Sequence, residues 1–304
     1  MRKGSLIFIF LLLEANIILG QPSSHSKHWF WFDGNFQYSY LNNDFYVASL
    51  HNYNIFKTSA QVGVRVPEVG IEPFLFFHVI DDVSHQNWNK VDWHNHIVGG
   101  IGLRRRFSLS NSRTAKTGLR ELWMEFFAEK HWIHFFPNES FFVGHRPKQD
   151  FKTGVKFQVI FATLPESAFH YFWFESGGGF YYAQNSFYLR ERKRFYLIGL
   201  AGSVGPVWWF SDHYYFRPYA FLNLNYDLGN KAWNKLDWHN YFKYGVGLRF
   251  RLARFKFYQF QKINFVVSPY GELQWIRYVD KVMYIPSYRP TFDRQAGLQL
   301  VVSN

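Results

Sequence analysis

A chain of 304 residues with no cysteine excludes disulfide scaffolding, thiolate metal sites and thiol nucleophiles. Its formal charge is +12, and 36 Phe, 20 Tyr and 12 Trp raise the aromatic share to 22 %, more ring area than one water-soluble core readily hides. Mean hydropathy is nonetheless mildly polar at −0.24, and no run of 18 apolar residues exists, which rules out helical membrane spans.

Residues 1–20 read as an export signal. Arg2 and Lys3 form its basic start, Leu6 to Leu13 its short apolar run, and Gly20 before Gln21 a small residue for cleavage. Glu14 interrupts the apolar stretch, and an uncleaved anchor is the competing reading. The remainder, 21–304, reads as a single domain.

Period-two alternation then recurs along the chain, the mark of strands with two unlike faces. Phe32, Phe36, Tyr38 and Tyr40 share one face, opposite Asp33, Asn35, Gln37 and Ser39. Val155, Phe157, Val159 and Phe161 oppose Lys156 and Gln158. Ala220, Leu222, Leu224, Tyr226 and Leu228 oppose Tyr219, Phe221, Asn223, Asn225 and Asp227. Six strands are predicted near 29–40, 58–67, 71–82, 95–109, 119–135 and 151–163. Six more fall near 171–183, 194–209, 215–228, 240–257, 263–279 and 292–303. Segments near 44–56 and 186–193 would raise the number to fourteen. The predicted fold class is all-β: an antiparallel transmembrane β-barrel of twelve strands, or fourteen, with lipid outside and water within. Pairing of the last strand with the first would remove both sheet edges.

The two sets of six echo each other. Trp88-Asn89-Lys90-Val91-Asp92-Trp93-His94-Asn95 returns 145 positions later as Trp233-Asn234-Lys235-Leu236-Asp237-Trp238-His239-Asn240. Pro73 maps to Pro218, and Gly100-Ile101-Gly102-Leu103-Arg104 to Gly245-Val246-Gly247-Leu248-Arg249. Phe30-Trp31-Phe32-Asp33 matches Phe172-Trp173-Phe174-Glu175 at offset 142, and Arg146-Pro147, Asp150 and Gly154 match Arg289-Pro290, Asp293 and Gly297 at offset 143. The domain therefore reads as a tandem duplication of a six-stranded unit, with repeats of about 29–164 and 171–304.

Charge falls on one face of the fourth strand in each copy. Arg104 and Arg106, then Arg249 and Arg251, alternate with apolar residues, although Arg105 breaks the first apolar set. Glu129 and Glu272 sit on the polar face of the fifth strands. A guanidinium facing lipid near the midplane costs about 2–4 kcal/mol, so these arginines are expected in the lumen, pairing with the glutamates across neighbouring strands. Either a charged constriction that selects solutes or a set of structural ion pairs satisfies this pattern. Trp88, Asp92, Trp93 and His94, with Trp233, Asp237, Trp238 and His239, lie between the third and fourth strands. They suit an interfacial aromatic girdle with a turn, or else contacts to sugars.

No cofactor and no metal are expected. His94 and His96 share a strand face, but the second copy has Tyr241 in place of the partner. Gly177-Gly178-Gly179 lacks the helix and Lys-Ser/Thr of a phosphate loop. The basic run Arg190, Arg192, Lys193 and Arg194 reads as a solvated or lipid-phosphate contact.

The export signal, the cysteine-free aromatic strands and the Arg-Pro-x-x-Asp-x-x-x-Gly endings resemble bacterial outer-membrane β-barrels. Asp-Trp-His-Asn followed by Gly-x-Gly-Leu-Arg is similar to strands in the C-terminal barrels of exopolysaccharide-export porins and of phage adsorption proteins. The chain departs from those export porins in reading no helical-repeat region ahead of the strands, and in ending Val301-Val302-Ser303-Asn304 rather than on an aromatic residue. The resemblance implies an outer-membrane location, passage of glycans or small solutes, and contact with membrane lipid, lipopolysaccharide and the barrel-assembly machinery. Nucleic acid is the wrong compartment. A surface receptor, adhesin or phage-adsorption barrel that binds through its loops is the alternative. A lipid-modifying enzyme ranks last, because no Ser-His-Asx cluster with suitable spacing is found.

Overall fold

The computed structural model describes residues 30–43, 52–66, 68–83, 96–108, 118–135, 148–162, 170–185, 194–211, 214–228, 241–257, 263–278 and 292–303. Its strands in chain order are β1 Phe30–Asn43, β2 Asn52–Val64, β3 Glu72–Asp82, β4 His96–Ser108, β5 Leu119–Phe135 and β6 Gln149–Ala162. They continue as β7 His170–Asn185, β8 Arg194–Trp209, β9 Tyr215–Asp227, β10 Tyr241–Arg251, β11 Ala253–Phe257, β12 Ile263–Tyr278 and β13 Phe292–Ser303. Every neighbour pair is antiparallel, and all but β13–β1 and β10–β12 join strands consecutive in the chain. The sheet closes because β13 pairs with β1, from Asp33↔Ser303 to Asn43↔Asp293. β10 and β11 both pair with β12 and form one ribbon, interrupted at Leu252, whose N–H reaches the Val267 carbonyl at 3.0 Å. Thirteen segments therefore make a closed barrel of twelve staves.

Twelve, and not fourteen, is the outcome of the predicted count. The 44–56 candidate contributes no stave of its own, since its last residues, 52–56, begin β2. The 186–193 candidate, with Arg190, Arg192 and Lys193, lies outside the described residues, as does the 1–20 segment. β2 starts six positions earlier than the alternation suggested, because Asn52, Tyr53 and Asn54 extend the β1 ladder without any apolar alternation to announce it.

The connections differ at the two ends. At one end, where β1 begins and β13 finishes, they are 65–71, 109–118, 163–169, 210–214 and 258–262. At the other they are 44–51, 83–95, 136–148, 186–193, 228–240 and 279–291, on the whole longer. The 65–71 turn is tight. Gly70 has φ 63°, a left-handed conformation that glycine adopts without steric cost, and its N–H donates to the Val66 carbonyl at 2.8 Å.

The pleat sends alternate side chains to opposite faces, and here those faces invert the pattern of a water-soluble protein. Leu75, Val246 and Leu298 point out and are 58 %, 48 % and 47 % exposed. Ser39, Glu72, Glu125, Asp150 and Asp227 point in and are buried. Inward rings cover inward glycines on the next strand: Phe74 and Phe76 lie opposite Gly102 and Gly100, and Tyr219 and Phe221 opposite Gly247 and Gly245. The second register repeats the first 145 positions on. A Cβ on Gly102 would overlap the Phe74 ring, whereas one on outward Gly99 would meet nothing. Gly102→Val is expected to lower the unfolding free energy by about 1–3 kcal/mol through overpacking, and Gly99→Val to leave it unchanged. Urea titration of the refolded barrel checks the pair, and equal effects would contradict the covered-glycine account.

Candidate functional site

The interior divides into a packed half and an open half. β3–β6 supply the packed half. Arg104, on β4, packs against the rings of Trp31 and Phe74, whose centres lie 4.3 and 3.9 Å from its guanidinium carbon. It donates to Gln61 Oε1 at 2.7 Å and lies 3.8 Å from Glu72 and 3.7 Å from Glu125. Arg106 joins Glu125 at 3.1 Å, Lys156 lies 3.7 Å from Glu125 and 3.6 Å from Glu129, and Arg65 holds Glu72 at 2.8 Å. Glu129 meets His131 Nε2 at 2.9 Å. Glu72 and Glu125 are thus each shared among cations, the arrangement that offsets burial of charge.

The open half is a cavity of about 750 Å³ along β6–β10, β12, β13, β1 and β2, with Lys57, Asn223, Tyr241, Lys243 and Asp293 among its walls. Near the short-connection end it is bounded by Arg217 and Arg249, directly opposite one another on β9 and β10. Arg217 stacks on Trp173, 3.0 Å to the ring centre, and Arg249 lies 5.9 Å from the Tyr219 ring. Arg251 lies 4.4 Å from Tyr215 and 5.1 Å from Trp209. Glu272 accepts from the Tyr219 hydroxyl and from Gln295 Nε2, and Glu175 from Gln158 Nε2 at 2.9 Å.

All six of the predicted lumen residues, Arg104, Arg106, Arg249, Arg251, Glu129 and Glu272, face inward. The expected partnership of Arg with these glutamates is corrected by the register. Glu129 stands opposite Gly102 and Glu272 opposite Gly247, one pleat from the arginines. The partner of Arg104 and Arg106 is instead Glu125, opposite Arg106, while Glu272 bonds neutral donors. Glu72, Glu125, Lys156 and Arg217 were not singled out from the sequence. Extending the Tyr219–Leu228 alternation back by two residues would have found Arg217, and extending the fifth strand's by four from Glu129 would have found Glu125. Arg105 points outward and packs against the Phe107 ring, 4.8 Å to its centre. His96 is described and faces His78, ring centres 5.9 Å apart. Trp88, Asp92, Trp93, His94, Trp233, Asp237, Trp238 and His239 lie outside the described residues.

No family model matches the chain, and no curated protein matches it. Among solved structures it is similar to an outer-membrane channel from Pseudomonas putida F1, at 7 % identity over 94 % of this chain and 100 % of that one, TM-score 0.42. It is also similar to the NanC porin (8 % identity, 87 % of this chain, 98 % of that chain, TM-score 0.38) and to the KdgM porin (8 %, 87 %, 97 %, TM-score 0.36).

Proposed function

We propose that this chain is an outer-membrane β-barrel that passes solutes through a charged, polar lumen and performs no catalysis. The observation that carries the reading is the inverted polarity of the wall. A closed barrel satisfies every backbone group internally, so an apolar exterior and a charged interior are what a bilayer tolerates. Leu75, Ile101, Leu200, Leu222, Val246 and Leu298 form the outward belt. Tyr40, Trp132, Tyr196, Tyr244 and Trp275 form an outward girdle near the long-connection end, suited to an interface where rings are apolar and polar tips wet. Lys130, Arg194, Arg277 and Arg294 face outward at that same end, favourable partners for lipopolysaccharide phosphates. Short turns on one side and long loops on the other, with the start of β1 and the finish of β13 on the short side, orient the barrel with the long connections outside the cell. The matching registers of β3–β4 and β9–β10 support reading the barrel as a duplicated six-stranded unit.

The open half of the lumen is the path for solute, and the glutamate-arginine network of β3–β6 holds the packed half in place. Planar-bilayer recording of the refolded protein tests this. Stepwise ion conductance is expected, and its absence would remove passage from the proposal. The second reading, ligand capture by the loops, is favoured by the recurrence of the Trp-Asn-Lys-x-Asp-Trp-His-Asn sequence in two long connections, 83–95 and 228–240. Ligand binding that persists with the bore blocked would select it.

A further inference from the structure

Superposing the register of β3–β4 on that of β9–β10 exposes a substitution of chemistry inside one chain. Phe74↔Gly102 corresponds to Tyr219↔Gly247, so the next inward pair, Glu72↔Arg104, corresponds to Arg217↔Arg249. The other carboxylate that holds Arg104 and Arg106 is Glu125, two inward-outward steps before Phe127 opposite Arg104. The residue in the same relation to Tyr270, opposite Arg249, is Ser268. Both anions that hold Arg104 are therefore absent at the equivalent place in the open half, and a second guanidinium replaces one of them.

Like charges directly opposite on neighbouring strands repel, and among the described residues no carboxylate lies within ion-pair distance of either. Among the described residues neither Arg217 nor Arg249 makes an ion pair, and the Nε of each is buried without a hydrogen-bond partner. The carboxylates of the same wall, Glu175 and Glu272, are occupied by Gln158, Tyr219 and Gln295. Stacking of Arg217 on Trp173 engages only the face of its guanidinium. The N–H groups lie in the plane and remain directed sideways, the geometry that grips a carboxylate or phosphate bidentately. The cavity they border falls in the size range of small-molecule sites.

We propose that Arg217 and Arg249 form an oxyanion-binding site at the short-connection end of the open lumen, taking the carboxylate or phosphate group of an anionic solute in place of the missing glutamate. The proposal rests on the pore reading for the source of that solute, and the test separates the two. Inorganic phosphate is titrated calorimetrically into the detergent-solubilised barrel, and phosphate is added to the same protein in planar bilayers under a KCl gradient. Wild type is expected to bind phosphate saturably, to favour chloride over potassium, and to lose current as phosphate occupies the site. Arg217→Glu recreates the Glu72–Arg104 arrangement, so it is expected to fold, to bind phosphate at least tenfold more weakly and to shift the reversal potential toward potassium. Arg249→Gln loses binding to a similar degree should Arg217→Glu misfold. Current without phosphate binding, or binding equal in Arg217→Glu and wild type, overturns the site and leaves the pore. Phosphate binding without current leaves the site and overturns the pore.

Discussion

Leu222→Arg is expected to cost about 2–4 kcal/mol of barrel stability in lipid vesicles, while Asn223→Arg, one residue further on, costs less than about 1 kcal/mol. Leu222 lies in the middle of β9, points outward and is largely exposed in the protein alone. In a bilayer that exposure is to acyl chains, where a guanidinium near the midplane carries the full penalty. Asn223 faces the cavity, which on the pore reading is filled with water, so that an added cation keeps its hydration. Urea titration of vesicle-inserted protein, followed by tryptophan fluorescence, gives both values. Equal costs would mean that the outward face does not meet lipid, and the membrane reading would go with it.

Glu125→Ala is expected to be the most damaging single change in the lumen, at about 3–5 kcal/mol. Glu125 is only 3 % exposed and lies within 4 Å of three cations, Arg104, Arg106 and Lys156. Arg104 is itself 5 % exposed. Removing one member of a buried ion network leaves the remaining charges desolvated and uncompensated, and that loss exceeds the net worth of the pair. Glu129→Ala should cost less, since Glu129 contacts Lys156 and His131 but neither arginine. Denaturant midpoints for the two variants decide the matter. A Glu125→Ala barrel as stable as wild type would show the packed half to be wetter than its burial implies.

Most of the barrel was legible because the pleat writes its two faces into the sequence at period two. Tyr219–Leu228 alternates cleanly, and each residue faces the way the alternation assigns. The closure of β13 on β1 followed from an even strand number. Starts and breaks were less legible. Asn52–Asn54 join the β1 ladder with no apolar alternation to announce them, and the interruption at Leu252 leaves no apolar irregularity behind it. The lumen was half legible for a related reason. Alternation says that Arg104 and Glu129 share the interior, but pairing depends on register between strands, and the arginine's partner lies two inward steps from Glu129, at Glu125. The contrast between Glu72 and Arg217 is visible at offset 145 in the sequence, yet it acquires meaning only once both are known to stand opposite an arginine.

The seam between β1 and β13 has a kinetic consequence. It joins Asp33 to Ser303 and Asn43 to Asp293, the most distant partners in the ladder, so its closure carries the largest loop entropy and comes late. Until then the half-built sheet presents two unsatisfied margins at once, the condition under which strands pair between chains and clump.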